Sequence, residues 1–114
     1  MKIAGCWSLS LITMAVAGAV WAAPAAAPGD PVAGRNKSSQ CAGCHEIAGY
    51  RVAFPEVYRV PKLAGQHADY LAAALKAYQT GDRASTIMGA IAENLSEQDM
   101  RDLAAYYAGE GGRK

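Results

Sequence analysis

The sequence predicts an all-α domain, with three main helices joined by long loops. Three segments carry helix-capping residues, and two of them place apolar residues at helical spacing. No run of β-branched residues suggests a substantial sheet. The connections at 46–66 and 82–95 are longer than ordinary loops. Contacts between the helices alone would therefore not fix their conformation.

The first segment of the chain has the pattern of an export signal. Lys2 is its only charged residue, an apolar run covers about 7–20, and small residues follow at 22–25. We therefore expect residues 1–23 to be a cleaved signal peptide, with 24–29 as a flexible leader. The run is short for a membrane span, although an uncleaved membrane anchor remains an alternative.

Charge and length limit the classes of function. The whole chain has 11 basic and 10 acidic residues, so loss of Lys2 with the signal peptide leaves a formal net charge of zero. A neutral chain does not favour nucleic-acid binding. About 90 residues remain, enough for one small domain at 30–109 with a marginal core, followed by a loose tail at 110–114.

The first predicted helix begins at Asp30, a residue that favours the N-cap, followed by Pro31 at the first helical position. It is expected to run to about Gln40. Gly34 lies in its middle and costs about 1 kcal/mol relative to alanine. Either a close crossing by another helix or a tolerated weak point on an exposed face would account for this glycine.

The next residues form the most informative motif of the chain. Cys41 and Cys44 are separated by two residues, and His45 follows directly. This is the attachment signature of a c-type haem: the two thiols add to the haem vinyl groups as thioethers, and the imidazole binds the iron. Such a haem is attached outside the cytoplasm, which agrees with the export signal.

The two cysteines have three other possible interpretations. A thioredoxin-type redox pair usually belongs to a βαβ unit, which this sequence does not predict. Half of a zinc site would need a second pair of Cys or His ligands, and none is evident. A structural disulfide across so short a loop gains little stability.

Two further helices are predicted after the motif. One spans His67 to Thr80 and is stopped by Gly81. The other spans Glu97 to Ala108 and starts at the N-cap Ser96. Their apolar stripes comprise Leu71, Ala74, Leu75 and Tyr78 in the first and Met100, Leu103, Ala104 and Tyr107 in the second.

A low-spin haem needs a second axial ligand, and Met88 is the candidate. It is expected on an irregular loop before the last helix, where a thioether would raise the reduction potential. Met100 competes weakly because its place in an apolar stripe already explains it. His67 is a further alternative, and ligation by a second histidine would give a low-potential haem.

These residues resemble those of class I cytochromes c, especially the small single-domain members similar to cytochrome c553 and to one half of a cytochrome c4. The resemblance covers most of 30–108. Beyond the haem motif and Met88, it rests on Gly34, on 61–66 (PKLAGQ), on Tyr70-Leu71 and on the closing pattern at 95–107.

The resemblance implies the class I cytochrome c fold, with the long loops wrapped around one covalently bound haem. It further implies that Gly34 lets the first helix cross the last one against Tyr106 or Tyr107. The carbonyl of Pro61 would accept the Nδ1 proton of His45. One departure is that many relatives carry a proline directly before the ligating methionine, where this chain has Ser85-Thr86-Ile87.

The function expected from this site is that of a monohaem electron carrier in the periplasm, not an enzyme. Electrons would pass by outer-sphere transfer between transient respiratory redox partners, with membrane contact only through membrane-bound partners. Two alternatives stay open. One is a haem enzyme or gas sensor with a labile sixth ligand, and the other is a fixed cytochrome subunit of a membrane oxidoreductase.

Overall fold

A computed structural model describes residues 27–109, so the predicted signal peptide and tail lie outside the described part. Five helices and one two-stranded hairpin make up this part. In chain order the elements are α1 (Pro31–Lys37), α2 (Ser39–His45), β1 (Arg51–Val52), β2 (Tyr58–Arg59), α3 (Ala68–Thr80), α4 (Thr86–Glu93) and α5 (Glu97–Ala108). The mostly helical architecture confirms the predicted fold class.

The helices α3 and α5 follow their predicted bounds closely. Gly81 ends α3 in the left-handed conformation with φ of 83°, as the sequence predicts for a C-terminal glycine. Ser96 and Asp99 form a reciprocal capping box at the start of α5. The helix α5 packs on both α1 and α3, and its buried side chains supply most of the core, which comprises Leu71, Leu95, Met100, Leu103, Ala104 and Tyr107.

The first predicted helix is two helices in the structure. The Asp30 side chain caps α1 by accepting a hydrogen bond from the Val32 amide at 2.8 Å. The chain then turns at the buried Ser38, whose hydroxyl donates to the Arg35 carbonyl at 2.9 Å. A new helix, α2, starts there and contains the whole Cys41–His45 motif, which the prediction placed after the helical end.

The segment 82–95 was predicted as an irregular loop, and this is wrong. It contains α4, which is capped by the Ser85 hydroxyl accepting from the Met88 amide at 3.2 Å. The helix α4 has only eight residues and carries Gly89 in its interior, so its apolar spacing extends over little more than two turns and is too short to indicate a helix from the sequence. Met88 therefore lies in the first turn of a helix that packs against α3.

The hairpin was also not predicted. Arg51 pairs with Arg59 and Val52 with Tyr58 in antiparallel register, and the Phe54–Pro55 peptide bond between the strands is cis. Within residues 27–109, no helix is long and apolar enough to cross a bilayer.

Close contact between α1 and α5 explains Gly34. A Cβ atom at this position would overlap the Asp102 carbonyl of α5 and would lie 2.9 Å from the Cβ of Tyr106. Only glycine allows this crossing, which supports the first of the two interpretations of Gly34 and places Tyr106 against it.

Beside the crossing lies a cluster of polar side chains. The Lys37 ammonium contacts Asp99 at 2.6 Å and the buried Asp102 at 2.7 Å. Asp102 also accepts hydrogen bonds from the Asp30 amide at 2.9 Å and from Gln98 at 2.8 Å. The hydrogen bond from the Asp30 amide is the main cause that lowers the pKa of Asp102, whereas Lys37 is the main cause that lowers the pKa of Asp99 to about 2.

The glycine crossing predicts a specific loss of stability. Gly34→Ala should lower the free energy of unfolding by about 1–3 kcal/mol, since the added methyl group forces α1 away from α5. Gly89→Ala in α4 is the matched control, because its Cβ would meet only the Tyr78 carbonyl at 3.7 Å. Urea titrations of both variants measure the effect, and equal stability of the two would contradict the close crossing.

The polar cluster predicts an acid-side loss of stability. Both carboxyls have a lowered pKa in the folded state, so their contribution is complete at neutral pH. It is lost as the pH falls below about 4 toward the Asp99 pKa of about 2. Lys37→Met should destabilise the protein at pH 7 and flatten this decline, measured by urea unfolding from pH 7 to pH 2.

Lys76→Met is the control for this experiment. Lys76 forms an exposed ion pair with Glu97 at 3.2 Å, and exposed pairs contribute little. The free energy of unfolding could also fall as steeply with decreasing pH in Lys37→Met as in the unsubstituted protein. This result would show that the cluster does not couple protonation to folding.

Candidate haem-binding site

The helix α2 gathers the three residues of the motif on one side. Cys41 and Cys44 are three positions apart and His45 is four positions from Cys41, so all three share a helix face. Both thiols are half-buried and not joined to each other. The sulfur atoms are therefore available for covalent attachment of one ligand at two points.

The environment of Cys41 is apolar with one polar contact. Cys41 packs against the core, and this burial raises the pKa of its thiol. A hydrogen bond with Tyr107 lowers the pKa, but by less than burial raises it. The Tyr107 hydroxyl also lies 3.4 Å from a carboxylate oxygen of Glu46, and burial is the main cause that raises the pKa of this tyrosine. A thiol in such surroundings is kept largely protonated.

The imidazole of His45 is held by the loop before α3. Its Nδ1 atom lies 2.7 Å from the Pro61 carbonyl oxygen. Because a carbonyl oxygen can only accept, Nδ1 must carry the proton. The other ring nitrogen, Nε2, then has its lone pair available for a metal, which is the arrangement typical of metal-ligating histidines.

Backbone contacts fix the loop that carries Pro61. The Gly65 amide donates to the Tyr107 carbonyl at 2.9 Å, and the Gln66 amide donates to the Leu63 carbonyl at 3.1 Å. Gly65 has φ of 81°, a conformation that favours glycine. The carbonyl that contacts His45 is thus connected to the end of α5.

The structure separates the three candidates for a second axial ligand. Met88 is half-buried on α4. Met100 is only 2% exposed and belongs to the core of α5. His67 is exposed at the N-cap of α3. Of the two methionines, only Met88 lies outside the core cluster.

These residues fit a covalently bound haem better than the other interpretations. Two unlinked thiols lie one helical turn apart, and the next residue is an imidazole whose tautomer leaves Nε2 for a metal. Throughout residues 27–109, no group of three or more Cys, His, Asp or Glu side chains could hold a metal ion. A protein zinc site therefore finds no further ligands in the described part.

Comparison with known proteins gives the same assignment. The cytochrome c family model matches residues 32–108. The chain belongs to the cytochrome c family. Membership implies a covalently bound haem c, and the helical fold agrees with the class I cytochrome c fold that the resemblance implied.

The relatives of this cytochrome c differ greatly in length. It is 39% identical over 85 residues to cytochrome c-554(548) of Halomonas halodenitrificans, covering 72% of this chain and 98% of the relative. It is 36% identical over 100 residues to cytochrome c4 of Pseudomonas aeruginosa, covering 88% of this chain but only 45% of that protein. The chain thus spans nearly all of one relative and less than half of the other.

A solved structure also matches. The thiosulfate dehydrogenase of Marichromatium purpuratum aligns with a TM-score of 0.58 and 32% identity, covering 82% of this cytochrome c and 22% of that chain. The same fold therefore occurs as one part of a much larger protein.

Sequence reasoning missed one feature of the site. Tyr107 was expected in an apolar stripe and, as an alternative to Tyr106, at the crossing with Gly34, but its hydroxyl lies beside Cys41 and Glu46. Glu46 and Tyr107 are 61 positions apart, and no local pattern in the sequence could have brought them together.

Proposed function

We propose that this protein is a monohaem electron carrier. The observation that supports the proposal is the His45–Pro61 hydrogen bond, which leaves the Nε2 lone pair of His45 to bind a metal, in the residue that follows two unlinked cysteines. Haem c supplies a one-electron iron couple when it is bound at these residues. Transfer would be outer-sphere, so no bond to the iron needs to form or break.

Each residue of the motif would have a separate task. The sulfur atoms of Cys41 and Cys44 would hold the haem through thioether bonds, and His45 would bind the iron through Nε2. The Pro61 carbonyl would keep the ring from rotating and would increase the basicity of the ligand. These tasks need no movement of the backbone, which suits a carrier that cycles repeatedly.

Met88 would be the second axial ligand. Its backbone is fixed by the hydrogen bond from its amide to the Ser85 hydroxyl at 3.2 Å, so a helix cap restrains this turn in place of the proline that many relatives carry directly before the methionine. A rigid first turn of α4 gives the thioether a defined position. A firmly held thioether would exclude water and exogenous ligands, which favours a carrier over a haem enzyme or gas sensor.

The proposed setting is the periplasm, where the carrier would meet donor and acceptor proteins transiently. A permanent place in a larger oxidoreductase is a second candidate, because this fold also matches one part of a thiosulfate dehydrogenase. Purification from the native host distinguishes them: a carrier separates from other proteins, and a fixed subunit co-purifies at a constant ratio.

Mass spectrometry tests the cofactor proposal directly. Protein exported in a host with intact haem-maturation machinery should have the mass of the chain after cleavage behind Ala22 or Ala23 plus one haem. Cys44→Ala can form at most one thioether bond, whereas the double variant Cys41→Ala with Cys44→Ala can form none and should lose any bound haem on acid–acetone extraction. A colourless product without added mass would contradict the proposed function.

Paired methionine variants test the axial ligand. Met88→Ala should fold but bind water at the iron, losing the sulfur-to-iron charge-transfer band and lowering the reduction potential. Met100→Ala should keep that band but lose about 2–5 kcal/mol of stability, because it leaves a cavity in the core. Visible spectra and urea titrations measure both properties, and an unchanged spectrum in Met88→Ala would rule out this ligand.

A further inference from the structure

The hairpin formed by β1 and β2 exposes an unusual combination of side chains. Phe54 at its tip is 82% exposed and Val57 is 69% exposed. Arg51 and Arg59 are both exposed and lie directly opposite each other in the two strands. Opposite residues of an antiparallel pair point to the same face, so this hairpin presents two guanidinium groups on one face.

These two arginines are not neutralised within the described domain. Like charges directly opposite each other in a sheet are unfavourable. Among residues 27–109, neither arginine has a carboxylate within ion-pair distance. Within the part of the chain that the structure describes, no carboxylate offsets the repulsion between the two guanidinium groups, and a carboxylate of a bound partner would do so.

The position of the hairpin connects it to the haem-binding site. The Val60 amide donates to the Tyr50 carbonyl at 3.0 Å, and the Tyr50 amide donates to the Ile47 carbonyl at 3.3 Å. These bonds close the base of the hairpin beside His45 and Pro61. A protein that binds the hairpin is thus held next to His45, the proposed ligand of the haem iron.

We propose that the hairpin 51–59 is a docking site for a protein partner that carries clustered carboxylates beside an apolar pocket. The arginines would pair with the carboxylates, for which the planar guanidinium group is suited, and Phe54 would enter the pocket. This inference rests on the proposed function, since the partner would be a donor or acceptor of electrons. So small an anchor suits a transient complex.

Two other occupants fit the hairpin less well. Binding to anionic lipid typically needs four to eight basic residues together, whereas 51–59 contains two arginines and also Glu56. A second copy of this chain, joined symmetrically through the hairpin, would bring arginines against arginines. Charge complementarity therefore favours an acidic protein.

Site-specific cross-linking in the native host tests the proposal. The photoreactive amino acid p-benzoylphenylalanine replaces Phe54 in the holoprotein, and intact cells are irradiated. Val32 on α1, which is 69% exposed, carries the same probe in a control protein. We expect an adduct from position 54 alone, with a partner peptide rich in Asp and Glu.

Charge variants show whether the arginines drive the contact. Arg51→Glu with Arg59→Glu should reduce the adduct yield roughly tenfold, and raised salt should do so in the unsubstituted protein. Arg35→Glu on α1 is the matched control and should leave the yield unchanged. The milder pair Arg51→Gln and Arg59→Gln should give an intermediate loss, with an unchanged visible spectrum as evidence of folding.

Several results would overturn the docking site. One is that no adduct forms at position 54, and another is that charge reversal leaves the adduct yield unchanged. A third is that the adduct contains lipid or a second copy of the chain. A reduction potential that shifts in the glutamine pair while the adduct persists would place the arginines against the haem instead. Mass and spectrum of the same samples report haem separately, so loss of the cofactor is distinguished from loss of docking.

Discussion

The hydrogen bond between His45 and Pro61 is the interaction on which the site depends. It joins the helix that carries the thiols to a loop that is itself bonded to the end of α5 through Gly65 and Tyr107. A short helix such as α2 is not stable alone, so its orientation must come from such contacts. The same bond sets the tautomer of the imidazole, and thereby decides which nitrogen can reach a metal.

Much of the fold could be predicted because its signals are local. Capping residues and apolar spacing predicted α3 and α5, whose polar and apolar faces are distinct. The turn at Ser38, the helix α4 and the hairpin could not be predicted in this way. The turn depends on a buried serine, α4 has only eight residues with a glycine inside it, and the hairpin has strands of two residues that give no alternation pattern.

The features of the candidate site also divide into those that the sequence predicts and those that only the packed structure shows. The spacing of Cys41, Cys44 and His45 is a property of five consecutive residues, so it could be recognised directly. Family resemblance supplied the Pro61 contact, which no spacing would have suggested. The cluster around Lys37 and the contact of Tyr107 with Glu46 join residues more than 60 positions apart, and they become visible only when the helices are packed.

The crossing at Gly34 also orders events in time. The hydrogen bond from the Asp30 amide to Asp102 spans 72 positions, and contacts so remote cannot form until the end of the chain is present. Cys41 packs against the core to which α5 contributes Tyr107, so in a chain that is exported with its amino end first, as the sequence predicts, this cysteine would be present before α5 covers it. Enzymes that attach a prosthetic group would meet a domain in which α5 has not yet packed against the other helices. The packing of this last helix would then complete the fold around the attached group.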